Sequence, residues 1–246
     1  MTKILVLLAT LTLASFAADP ADPRRQPEIP QRDLVAFDQT ALRKELEFPQ
    51  RDLATFDQKL KAARKAGVPE TDTLLPQLSA AWLHGDAERV KALLATWQLL
   101  AEKPPGDLEE SCPSLDKMQK LVEASAQNPG ALADEMKASR TQWLRRQAVI
   151  TLEDIRQVDS AIDQWAIENN KPGGTKLGWA EVQLYLKKGT RLQRTGASVF
   201  GDVYGPRFVV DNIPVIPATT WKALDGAVPW KFFAPFPIAG EDGEKK

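Results

Sequence analysis

The residues able to do chemistry are few, and their spacing is poor for it. The chain of 246 residues has one histidine, His84, and one cysteine, Cys112. One imidazole excludes every motif that binds zinc through a pair of histidines. One thiol excludes an intrachain disulfide framework and any Cys-x-x-Cys redox pair. Ser198 sits in Ala-Ser-Val, without the glycine frame of a nucleophile elbow. His84, the base that such a serine needs, lies in a different segment far upstream. Carboxylates offer the remaining chemistry: Glu109 and Glu110, Asp154 and Asp159, and Glu181. Two of them facing one cleft would make a glycosidase-like acid/base pair, and nothing in their spacing favours that. Gly173 and Gly174 form a loop with no Gly-Lys-Ser/Thr after it, so no phosphate cradle is expected.

Composition narrows the classes further. Lys+Arg number 32 against 33 Asp+Glu, a net charge of −1, and this balance speaks against a nucleic-acid partner. A 43% hydrophobic content suits a folded chain. The basic pairs at 24–25, 145–146 and 187–188 are diluted by acids and read as solvated faces.

The N-terminus has the three parts of a secretory signal: Lys3, an apolar run over residues 4–13, and small residues Ser15 and Ala17. The run is half the roughly 20 residues that a bilayer span needs. Residues 1–17 are therefore expected to be cleaved before Ala18. The mature chain is then periplasmic or extracellular, with no integral membrane segment. A lone cysteine fits an oxidising compartment.

The elements follow from punctuation and period. Residues 18–31 are rich in proline and charge and read as an extended linker. A tandem repeat comes next: residues 30–39 (PQRDLVAFDQ) recur as 49–58 (PQRDLATFDQ), identical at eight of ten positions. Each copy reads as one helix, with Leu34 and Phe37 in the first and Leu53, Phe56 and Leu60 in the second along an apolar face. Two copies are too few for a solenoid. They serve either as a partner-binding helical pair or as a local duplication that lengthens a spacer. Gly67 and Gly85 read as helix C-terminal glycines. His84 then falls in a last helical turn, where a partly charged imidazole meets the negative helix end. Asp86 and Ser114 read as N-caps. Residues 32–128 thus form a helical region of short, punctuated helices.

From 131 to about 169 there is neither proline nor glycine. Leu144, Ala148, Leu152, Ile155, Val158, Ile162 and Trp165 recur at spacings of three and four, so one helix of about 58 Å is predicted. A short helix over 179–187 follows, closed by Gly189. Residues 196–201, 206–211 and 213–217 are β-branched and bounded by Pro and Gly, and they are predicted strands of a small sheet. Thr219 or Thr220 is placed to cap a last turn at 221–224. Residues 131–238 make one module, 239–246 a disordered tail, and the fold class is α+β, mostly α. The aromatic, proline-rich stretch 230–237 is expected to pack over the sheet.

Three segments, taken in order, resemble the globular part of type II secretion pseudopilins. They are residues 154–170 (DIRQVDSAIDQWAIENN), 179–188 (WAEVQLYLKK) and 202–208 (DVYGPRF). The resemblance covers about residues 145–236 and is carried by Trp165, Trp179, Tyr185, Leu186, Asp202, Tyr204, Gly205 and Phe208. It implies a long helix, a short second helix, an Asp-x-aromatic-Gly turn and a small antiparallel sheet. This sequence departs from the family ahead of Trp143. Asp134, Glu135, Lys137, Arg140 and Gln142 stand where the family has an apolar, fibre-forming helix, and a prepilin leader is missing there. The family's calcium loop is not clearly matched, since Asp202 and Asp211 supply too few oxygens for that ion. No cofactor, no metal and no catalytic residue is expected. The implied role is a non-enzymatic one with a protein partner in the cell envelope. The alternatives are a component of the secretion or pilus machinery and a secreted, carboxylate-dependent hydrolase or carbohydrate-binding protein.

Overall fold

A computed structural model gives the fold and describes residues 52–100, 102–104 and 106–240. The expected signal (1–17), linker (18–31), first repeat copy and tail end (241–246) lie outside the described residues. The fold is α+β and mostly α: helices dominate, with a single two-stranded antiparallel sheet among the described residues.

Helix α1 (Leu53–Lys65) starts at Asp52, whose carboxylate takes the Thr55 N–H at 2.7 Å. It ends at Gly67, where the Val68 N–H reaches Ala63 O and the Gly67 N–H reaches Arg64 O. Phe56, Leu60 and Ala63 are buried against Val68 and Ala80. A 3₁₀ turn (Thr71–Thr73) leads into α2 (Leu74–Leu83), nine of whose ten residues are buried. Pro76 is tolerated there because it sits in the first turn, where the missing N–H has no helical acceptor. Gly85 (φ +77°) closes α2, and Asp86 caps α3 (Ala87–Leu99) with a 3.0 Å bond from the Arg89 N–H. Ser114 caps α4 (Leu115–Ala124).

Helix α5 (Pro129–Glu168) has 40 residues, about 60 Å at 1.5 Å per residue. Its start lies two residues ahead of the 131 expected from the sequence. Asn128 caps it, Pro129 takes the first helical position, where its lost N–H costs nothing, and Gly130 follows. The far end closes on Asn170 (φ +50°), with the Lys171 N–H bonded to Ala166 O at 2.9 Å.

Two cores share this helix. Its first half buries Leu132, Met136, Trp143 and Leu144 against Leu78 and Trp82 of α2, Val90 and Leu94 of α3, and Met118 of α4. Its second half buries Ala148, Ile155, Val158 and Ile162 against the C-terminal module, including Leu177, Tyr204, Phe208, Ile216 and Phe233. Phe200 packs against both cores, and its ring meets the Trp143 indole edge-on at 6.0 Å between centroids.

The C-terminal module departs from the sequence reading. Strand β1 (Lys176–Gly178) pairs antiparallel with β2 (Arg207–Val209), placing Leu177 opposite Phe208. Between them run α6 (Trp179–Gln183), α7 (Arg191–Thr195) and a turn closed by an Ala197–Val203 bridge. The segments 196–201 and 213–217 are therefore not strands of the sheet. The first is that turn, and the second contributes one bridge, Ile216 to Ile238. Helix α6 stops at Gln183 rather than 187, because the chain turns at 184–186 to bury Leu186. Helix α8 (Ala218–Ala223) begins after Pro217, and Thr220 is buried within it instead of capping it. A 3₁₀ turn (Trp230–Phe233) then inserts Phe233 into the core.

Gly196 ends α7 at φ +64°, and a Cβ added there would lie 2.9 Å from the Trp179 indole. A G196A chain thus meets both a left-handed backbone and a rigid ring. It is expected to lose about 1–3 kcal/mol, read as a lower Tm.

Candidate functional site

The residues singled out by the sequence gather where α6, α7 and the 196–206 turn close over the second half of α5. Trp165 and Trp179 pack half-buried against the second core, and Leu186 and Phe208 are inside it. The Trp179 and Phe208 rings lie 6.2 Å apart. Tyr185 donates its hydroxyl to Glu168 at 2.9 Å, tying the chain after α6 to the last turn of α5. The Gln164 amide and then this hydroxyl hold Glu168 below the ordinary carboxylate range, and the bond to Glu168 raises Tyr185. Gly205 (φ +147°) makes the bend before β2.

The centre of this region is a buried carboxylate. Asp154 projects from the apolar face of α5 and is 5% exposed. Its Oδ2 accepts from the Arg191 guanidinium and from the Tyr204 hydroxyl, the latter at 3.1 Å. Arg191 also donates to Ala197 O, so one side chain joins α5, α7 and the turn. Burial pushes the Asp154 carboxyl above its ordinary value; the Arg191 charge and the two hydrogen bonds oppose this only in part. Burial and the neighbouring carboxylate push the Tyr204 phenol strongly upward. Tyr204 therefore keeps its proton and donates it.

A second polar cluster closes the turn itself. The Thr220 hydroxyl lies 2.8 Å from both Ser198 Oγ and Asp202 Oδ2. A hydroxyl has one proton to give, and a carboxylate can only accept. Thr220 therefore donates to Asp202 and accepts from Ser198, whose oxygen in turn takes the Phe200 N–H at 3.2 Å. Ser198 is 2% exposed and committed to this chain of bonds. It has no base beside it in the hydrogen bonds it makes.

The other candidate groups are placed apart. Arg140 donates to His84 Nδ1 at 3.0 Å and to Leu83 O at 3.3 Å. A guanidinium cannot accept, so Nδ1 is the acceptor. The expectation that a charged imidazole meets the end of α2 is corrected here: Arg140 supplies the positive charge, from 56 residues downstream. Arg146 takes both Glu109, at 3.2 Å, and Glu110, pinning the 106–112 loop to α5. Glu181 accepts the Gly178 N–H at 2.9 Å. Glu109 and Glu110 thus share Arg146, whereas Asp154 ends on Arg191 and Tyr204, and Glu181 on the Gly178 N–H. Asp159 is half-buried; burial raises its carboxyl, and the Asp163 charge raises it further.

Cys112 packs at the edge of the first core, and burial pushes its thiol from 9.0 up to about 12. A thiol-specific reagent at pH 8 is expected to label the folded chain roughly a thousandfold more slowly than the unfolded one. Equal labelling rates would show that the loop is open.

Among the described residues no group of three or more His, Cys, Asp or Glu is arranged to hold a metal ion, and no helix is long and apolar enough to cross a membrane. Asp202 is engaged by Thr220, and Asp211 lies beside Gly173 at the other end of β2. Sequence reasoning missed Arg191 and Phe200, and gave Thr220 only the role of a helix cap. The one local signal was Asp154, a charge on an apolar stripe, which demands a buried partner.

Comparison with protein-family models, with curated proteins and with solved structures returns no match.

Proposed function

We propose that this chain is a non-enzymatic protein of the cell envelope that works through protein–protein contacts, as a scaffold or adaptor. In this reading the pseudopilin-like headpiece, about residues 145–236, rides on a spine covered by the chain's own helices. The observation that carries it is the burial of Leu132, Met136, Trp143 and Leu144 beneath α2, α3 and α4. A fibre subunit of the resembled family leaves the start of its long helix for neighbouring subunits to cover. Here the cover over those four residues is intramolecular, which speaks against polymerisation through that face.

Support comes also from the polar groups. Asp154, Ser198, Thr220, Asp202, Glu109 and His84 each close an internal contact, and these contacts fasten elements together. Some apolar side chains also face outward. Ile213 and Val215 are 48% and 38% exposed and alternate with buried Pro214 and Ile216, presenting one face of that segment to a partner. The expected export signal over residues 1–17 supports a periplasmic or extracellular place for this role.

The test is capture from envelope extracts on the mature chain, with light scattering to weigh the complex. The reading expects a discrete complex that is lost in an I213D/V215D chain. A strictly monomeric protein that captures nothing overturns it. N-terminal sequencing separates this role from that of a machine component, for which processing at a prepilin-type site is required.

A further inference from the structure

The structure gives a use to the residues that the two repeat copies share. In the second copy Asp52 caps α1, Leu53 packs at the rim of its core, and Phe56 is fully buried against Ala80 of α2 and Val68. Asp57 clamps Arg89 of α3 with both oxygens, at 2.7 and 3.1 Å. The Arg89 guanidinium in turn lies 6.0 Å from the centre of the Phe56 ring. Cap, rim contact, buried ring and ionic clamp form one recognition set, Asp-Leu-x-x-Phe-Asp.

The same set stands in the first copy as Asp33, Leu34, Phe37 and Asp38, at identical spacing. The two positions that differ matter little to the seat. Ala54 is exposed, and Thr55 serves the cap through its backbone N–H, which Ala36 also carries. Beyond the repeat the likeness stops. Where Leu60 and Ala63 are buried, the first copy has Ala41 and Lys44.

We infer that residues 32–39 are a second key to the seat on α2 and α3. When α1 leaves, the first copy of the same chain takes its place, with Phe37 beside Ala80 and Asp38 on Arg89. The second copy holds the seat at rest because it also buries Leu60 and Ala63. The occupant is intramolecular: residues 40–67 bridge back to Val68, closure cost rises only slowly with loop length, and a tether supplies about millimolar effective concentration. The exchange frees α1, an amphipathic helix, without leaving Ala80 and Arg89 uncovered. The inference goes beyond the proposed role and stands without it, since it concerns the chain's own residues.

Thermal unfolding of the full chain decides it. F37A alone is expected to leave Tm unchanged. F56A lowers Tm, and F56A/F37A lowers it further, by at least about 3 °C. Where F56A does not fold, D57N and D57N/D38N replace it and should fall in the same order. Equal Tm values for the single and double variants overturn the inference. So does an F37A loss as large as that of F56A, which would mean that the first copy already has a seat of its own.

Discussion

A W143A chain is expected to lose about 3–5 kcal/mol of unfolding free energy, the range for truncating a buried tryptophan. Trp143 is 2% exposed and lies where the spine passes from one core to the other. Its indole meets the His84 ring on one side, at 6.4 Å between centroids, and the Phe200 ring on another. Phe200 is carried by the C-terminal module, so the truncation removes packing from the first core and unhooks the second from it. The consequence extends past stability: the helical region and the headpiece should cease to unfold together. Urea denaturation followed by circular dichroism should show a lower midpoint and a shallower slope, the sign of lost cooperativity. W143F keeps a ring against Phe200 and should keep the slope. A single steep transition in W143A would mean that the two cores are coupled elsewhere.

The second large effect is expected at Arg191. An R191A chain leaves Asp154 buried without its counter-charge. Losing one partner of a buried pair costs about 3–5 kcal/mol, and because the Arg191 side chain is 32% exposed, solvent screening reduces this to about 2–3 kcal/mol. The loss should depend on pH with a definite sign. Burial holds the Asp154 carboxyl above its ordinary 3.8, so the folded chain grips that proton more tightly than the unfolded chain does. The contribution of this group is therefore fully present below 3.8 and falls away as pH rises through the folded value. Removing Arg191 removes an attraction that lowers the folded value, which carries the window further upward. The R191A deficit should be large at pH 7 and shrink as the solution is acidified toward pH 4. A deficit that is constant across that range would reduce Arg191 to its packing and its bond to Ala197.

The helices were legible because their signals are local. The stripe from Leu144 to Trp165, the caps at Asp86 and Ser114, and the closing glycines 67 and 85 all act within one or two turns of the residues that reveal them. What escaped is non-local. Strands β1 and β2 have three residues each, too short for an alternating pattern. They are aligned by backbone bonds such as Gly174 N–H to Val210 O, made across two intervening helices. Helix α7 has five residues and is fastened through Arg191 to a carboxylate 37 positions earlier. Arg140 at the end of α2 escaped for the same reason: its guanidinium comes from 56 residues downstream to meet Leu83 O and His84 Nδ1. Asp154 is the instructive case. Its place on the apolar stripe advertised the need for a partner, but only the fold could supply which one.

The account turns on α5 being covered along both halves by this chain alone. Amide hydrogen exchange on the purified protein measures that directly. The prediction is that residues 132–144 exchange as slowly as residues 148–162, because α2, α3 and α4 protect the first half as the headpiece protects the second. Fast exchange over 132–144 beside a protected second half would contradict it, and would mean that the spine waits for another molecule to cover it.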